Sequence, residues 1–116
     1  AGRFGATEIG DEAQEVVLVV ILDTKNKINA IHRVFTGSLN TSVAHPREIF
    51  RSALLNNGAR ILVYHNHPSG NTEPSEADLI FTKRMEEAGS ILGIDLLDHI
   101  IVSGKEWLSL REYGIL

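Results

Sequence analysis

The run Val16-Val17-Leu18-Val19-Val20-Ile21-Leu22 constrains the fold more than any other stretch of this chain. β-Branched residues dominate it and no polar position interrupts it, which suits a strand buried on both faces rather than one with a solvated side. It is far too short to span a bilayer. Asp23-Thr24-Lys25-Asn26-Lys27 then has turn chemistry, and Ile28 to Phe35 carries enough Ile, Val and Phe for the second strand of a hairpin, ended by Gly37.

The rest of the chain alternates helical and extended patterns. Asn40 to Pro46 is a polar connection, and Pro46 suits the first position of a helix with Ile49, Phe50, Ala53, Leu54 and Leu55 at helical spacing, stopped by Asn56-Asn57-Gly58. Ile61-Leu62-Val63-Tyr64 reads as a buried strand. A second helix is expected from Ser75 to about Ala88, with Gly89 as its terminator and Glu76, Lys83, Glu86 and Glu87 on its solvated face. Ile94 to Val102 is another strand, interrupted by Asp98-His99. Ser103 to Glu106 is a hairpin turn and Trp107 to Leu110 a final strand. This alternation, with at least one βαβ stretch, predicts an α/β fold: a mixed β-sheet flanked by helices. Ala1 to Gly10 is Gly-rich and lacks periodicity, so residues 1–11 are expected to be a linker or fragment edge and residues 12–116 the folded domain.

Composition narrows the functional classes. A length of 116 residues suits one core, and 43% hydrophobic with 22% charged residues is ordinary for a soluble globular protein. The formal net charge of −4 offers no basic footprint for a phosphate backbone. If DNA is involved, residues outside this chain should hold it. With no cysteine, disulfides and thiolate metal sites are impossible, and any metal must be held by imidazole and oxygen. No charged-then-apolar leader opens the chain, and a cytoplasmic setting with no membrane contact is the expectation.

The chemistry-bearing segment is His65-Asn66-His67-Pro68-Ser69-Gly70-Asn71-Thr72-Glu73-Pro74-Ser75-Glu76-Ala77-Asp78. His65 and His67, two apart at a strand end, should leave on one face. Pro68, Gly70 and Pro74 punctuate a loop, and Asp78 falls in the first turn of the following helix. Two imidazoles and a carboxylate make a three-ligand set for a divalent ion of the zinc type, with a fourth tetrahedral position for water. The blander alternatives stand beside this. Ser75-x-x-Asp78 is also a capping-box pattern, and a His-x-His pair also arises on ordinary strands.

His65-x-His67-Pro68, six further residues and Ser75-x-x-Asp78 resemble the JAMM signature of MPN-domain metalloproteases, and HNHPSGNTEPSEAD resembles its bacterial RadC version. Val34 to Leu39, His45-Pro46-Arg47-Glu48 and Gly93 to Ile100 are similar to further stretches of that family. The resemblance covers about residues 12 to 115. It implies a three-layer fold related to the cytidine deaminase-like architecture, and a zinc-dependent hydrolase of peptide or isopeptide bonds acting on a protein or peptide substrate. His65, His67 and Asp78 would be the metal ligands, Ser75 a hydrogen-bond donor to the oxyanion, and Glu15 the general base, with Glu48 and Glu12 as substitutes. The family's historical label, DNA repair, implies instead an accessory or binding domain with a metal site and no proteolytic turnover. A metal-dependent nuclease is disfavoured by the low basic charge.

Three other polar positions have open roles. His45 is either a third imidazole for metal or substrate or a helix-entry residue making local hydrogen bonds. Arg47 either holds a substrate carboxylate or pairs with Glu48 or a neighbour. Asp98 either orients a ligand imidazole from behind or is, with His99, a satisfied polar residue at a strand bend.

Overall fold

The computed structural model describes residues 1–36 and 46–116, with side chains over 1–34 and 46–116. Its elements are α1 (Gly2–Ile9), β1 (Val16–Leu22), β2 (Ile28–Thr36), α2 (Pro46–Leu55), β3 (Arg60–Asn66), α3 (Glu76–Leu92), β4 (Asp95–Ser103) and β5 (Glu106–Ser109). The five strands form one sheet in the order β2-β1-β3-β4-β5. It is mixed: β3 and β4 run parallel because α3 crosses over between them, and the other pairs are antiparallel.

All seven residues of β1 are buried, as the uninterrupted apolar run requires. Val17, Val19 and Ile21 point to one face, where they meet Ile49, Phe50 and Ala53 of α2 and Phe81 and Met85 of α3. Leu18 and Val20 point to the other, where Ile9 of α1 joins Tyr64, Ile100 and Val102. The architecture is therefore three layers, α1 on one side and α2 with α3 on the other. Among the described residues, no helix is long and apolar enough to cross a membrane.

Two expectations fail for one reason: glycines read as breakers serve as contact surfaces. The segment expected to be a linker is instead the helix α1. A β-carbon at Gly5 would stand 2.1 Å from Tyr64 Cδ1, and one at Gly2 would stand 2.2 Å from Trp107 Cδ1, so these glycines let the helix lie directly on both rings. The Tyr64 hydroxyl donates to the Ala1 carbonyl at 2.8 Å. Likewise α3 does not stop at Gly89 but runs to Leu92. A β-carbon at Gly89 would lie 2.3 Å from the Ile94 carbonyl oxygen, whereas Gly93, at φ 73°, adopts the left-handed conformation that ends the helix. Asn40 to His45, including the predicted roles of His45, lie outside the described residues.

Candidate metal centre

The sheet delivers the two imidazoles. His65 closes the β1–β3 ladder opposite Val17, and the His67 amide, one residue past the strand, donates to the Val102 carbonyl at 2.8 Å. Ser103 Oγ donates to the His67 carbonyl at 2.6 Å, which fixes that peptide from its other side. After a turn through Gly70 the chain returns at Ser75, the N-cap of α3. The capping box is fully formed: the Asp78 N–H donates to Ser75 Oγ at 3.1 Å and the Ser75 N–H donates to Asp78 Oδ2 at 2.8 Å. Capping and metal holding are not rivals here, because the cap is what aims the Asp78 carboxylate.

His65, His67 and Asp78 each present one donor atom within 4.8 Å of the others, a group that could hold a metal ion. His65 Nδ1 lies 3.2 Å from Asp78 Oδ1, and His67 Nε2 lies 2.9 Å from Asp78 Oδ2. Asp78 and His65 are buried. Burial pushes the Asp78 carboxyl up, but the facing His65 ring, the His67 hydrogen bond and the Ser75 amide outweigh it and hold the group far below the ordinary carboxylate range. His67 is raised, first by its bond to Asp78.

Two details test whether a cation fits. Neither ring nitrogen of His65 has a hydrogen-bond partner among the described residues, although Nδ1 faces Asp78 and Nε2 stands 3.6 Å from Glu15 Oε1. Buried polar atoms without partners are costly. His67 Nδ1 lies 2.8 Å from the Asn71 carbonyl, which can only accept, so Nδ1 carries a hydrogen. A neutral His67 then turns the bare lone pair of Nε2 toward the Asp78 carboxylate. That contact is favourable only with positive charge between the two atoms, either a second proton or a metal cation. The donor set fits an imidazole-preferring ion.

A family model described as a RadC-like JAB domain matches residues 1–115. The chain belongs to this family. It is 50% identical over 109 residues to a UPF0758 protein of Clostridium beijerinckii, covering 94% of this chain and 48% of the relative. It is 57% identical over 99 residues to a UPF0758 protein of Enterococcus faecalis, covering 85% of this chain and 43% of the relative. The RadC-like domain thus spans about half the length of the curated relatives it matches.

Of the three carboxylates considered as base in this RadC-like domain, Glu15 is the one set against His65. Glu12 is engaged by Arg33 at 2.5 Å and Glu48 lies 3.6 Å from Arg47 Nε. Asp98 does not orient an imidazole. Its carboxylate accepts from Ser109 Oγ and from the amides of His99 and Arg111, tying β4 to the chain after β5. Its neighbour His99 lies on the metal-centre side, fully buried, with its ring centroid 6.4 Å from that of His65. Thr82, one turn beyond Asp78, donates to the Asp78 carbonyl at 2.8 Å and lies 2.6 Å from His99 Nδ1, which must then donate to it. Burial, followed by the neighbouring His65, disfavours the charged form and pushes His99 down to about 3. Sequence reasoning treated Asp98 and His99 as a pair; strand alternation could have separated them, since adjacent residues face opposite ways.

Proposed function

We propose that this domain is a zinc-dependent hydrolase of peptide or isopeptide bonds, acting on a protein or peptide substrate in the cytoplasm, with His65, His67 and Asp78 as the protein ligands. The observation that carries the reading is the buried His65 ring, both of whose nitrogens lack hydrogen-bond partners among the described residues while facing the carboxylates of Asp78 and Glu15. A zinc ion held there supplies Lewis acidity, which lowers the pKa of an attacking water and polarises a scissile carbonyl.

The chain's own groups do the rest. Asp78, held anionic by its neighbours, keeps both imidazoles oriented. Glu15, partly exposed beside His65, takes the proton of the attacking water and returns it to the leaving amine. Ser75 Oγ accepts the Asp78 amide hydrogen and keeps its own hydrogen for the carbonyl oxygen as charge develops there.

The test is metal analysis of purified protein with turnover of a mixed library of quenched α-linked and ε-amino-linked peptides. The wild type is expected to hold one zinc and cleave. His67→Ala should lose the metal, and Glu15→Gln should keep it while turnover falls about 10²- to 10⁴-fold. Zinc retained in full by the wild type with no cleavage across the library would replace the hydrolase by a binding module.

A further inference from the structure

Between the two imidazoles lies a side chain whose connections are made elsewhere. Asn66 is fully buried, and its carboxamide spans to the segment before β1. Asn66 Oδ1 accepts from the Val16 amide at 2.6 Å, and Nδ2 donates to the Gln14 carbonyl at 3.0 Å and the Glu12 carbonyl at 3.2 Å. These three backbone groups bracket Glu15 on both sides. The bracketed residues 12–15 precede the strand, and among the described residues no ladder bonds hold them. A side chain with one acceptor and two donors on a planar group is needed to make all three bonds, and a carboxylate or an apolar isostere cannot make them.

We propose that Asn66 is a positioning residue that sets the Glu15 carboxylate against the metal centre. The peptide units that aim His65 and His67 thereby also fix where the base stands, 3.6 Å from His65. This inference rests on the hydrolase reading for Glu15's task, but not for the clamp itself. Loss of Asn66 swings Glu15 away while leaving all three donor residues in place.

The experiment compares wild type, Asn66→Ala, Asn66→Asp, Glu15→Gln and the Glu15→Gln/Asn66→Ala double variant of the full chain. Zinc affinity of metal-stripped protein is measured by chelator competition, amide hydrogen exchange over residues 12–16 by mass spectrometry, and kcat and KM on the cleaved library peptides. In Asn66→Ala, exchange over residues 12–16 should rise at least about tenfold, as expected for loss of local anchoring. Zinc affinity should stay within about threefold, because no donor atom is touched. Turnover should fall about 100-fold in kcat with KM unchanged, the cost of a base displaced by about 1 Å. The double variant should be no slower than Glu15→Gln alone.

Unchanged exchange in Asn66→Ala, losses that multiply in the double variant, or zinc affinity that collapses with Asn66 would each overturn the proposal. If Asn66→Ala does not fold, Asn66→Asp decides. It keeps an acceptor for Val16 but offers no donor to Glu12 and Gln14, and the same loss in kcat is expected. A wild type that binds zinc without cleaving anything would sink the hydrolase reading, while the exchange comparison still decides whether Asn66 holds the Glu15 segment.

Discussion

Replacing Asp78 with Asn removes one negative charge and almost no volume. The amide oxygen can still accept from the Ser75 N–H, now 2.8 Å from Oδ2, so the start of α3 should survive. What disappears is the anion facing two imidazoles, 3.2 Å from His65 Nδ1 and 2.9 Å from His67 Nε2. Removing one partner of a buried ion pair costs about 3–5 kcal/mol. His67 is 12% exposed and can shed its proton, so about 2 kcal/mol is the appropriate figure for the metal-free protein. For a domain of this size, an unfolding entropy of about 2 cal/mol/K per residue converts 1 kcal/mol into about 4 °C. The metal-free variant should therefore melt about 8 °C below wild type. Zinc at about 100 times its Kd adds about 2.7 kcal/mol to a protein that binds it, so wild type should gain about 11 °C. With one ligand of three removed, Asp78→Asn should gain less than about 3 °C under the same conditions. Scanning calorimetry of metal-stripped protein, with and without zinc, reads both shifts. A variant that keeps the full zinc-dependent rise would refute the assignment of this carboxylate to the metal centre.

His99 sets a pH dependence. Its folded value of about 3 lies below the ordinary 6.5, so the unfolded chain takes up the proton first. Its contribution is complete above pH 6.5 and is lost as pH falls toward 3, at up to about 1.4 kcal/mol per pH unit. Between pH 7 and 5, wild type should lose more stability, read from denaturation midpoints, than His99→Gln, the difference between the two reporting His99; equal slopes would refute it. Gly5→Ala places a β-carbon 2.1 Å from Tyr64 Cδ1 and should cost about 1–3 kcal/mol as α1 is forced off the sheet, read by melting and by exchange over residues 2–9; unchanged values would show that α1 carries no strain. Ser75→Ala should lose about 1 kcal/mol through the cap, and Ser75→Asp should restore that stability without restoring turnover, because a carboxylate caps the helix but has no hydrogen to donate. Full activity in Ser75→Asp would remove the hydroxyl from the chemistry.

The parts of this protein whose signal is local are legible in the linear pattern. A short unbroken apolar run rich in β-branched residues suits a strand covered on both faces, and β1 is one. Two residues apart on a strand share a face, so His65 and His67 turn together, and Ser75-x-x-Asp78 closes its own capping box within one helical turn. Features that depend on partners distant in the chain emerge from the folded arrangement. Whether a glycine ends a helix or lets one approach its neighbour is settled by what stands opposite: Tyr64 and Trp107 for α1, the Ile94 carbonyl for Gly89. The division of labour between Asp98 and His99, and the reach of Asn66 to the backbone around Glu15, follow in the same way from strand register across the sheet. A linear pattern records the periodicity of one element, but which atoms meet across elements is fixed by packing.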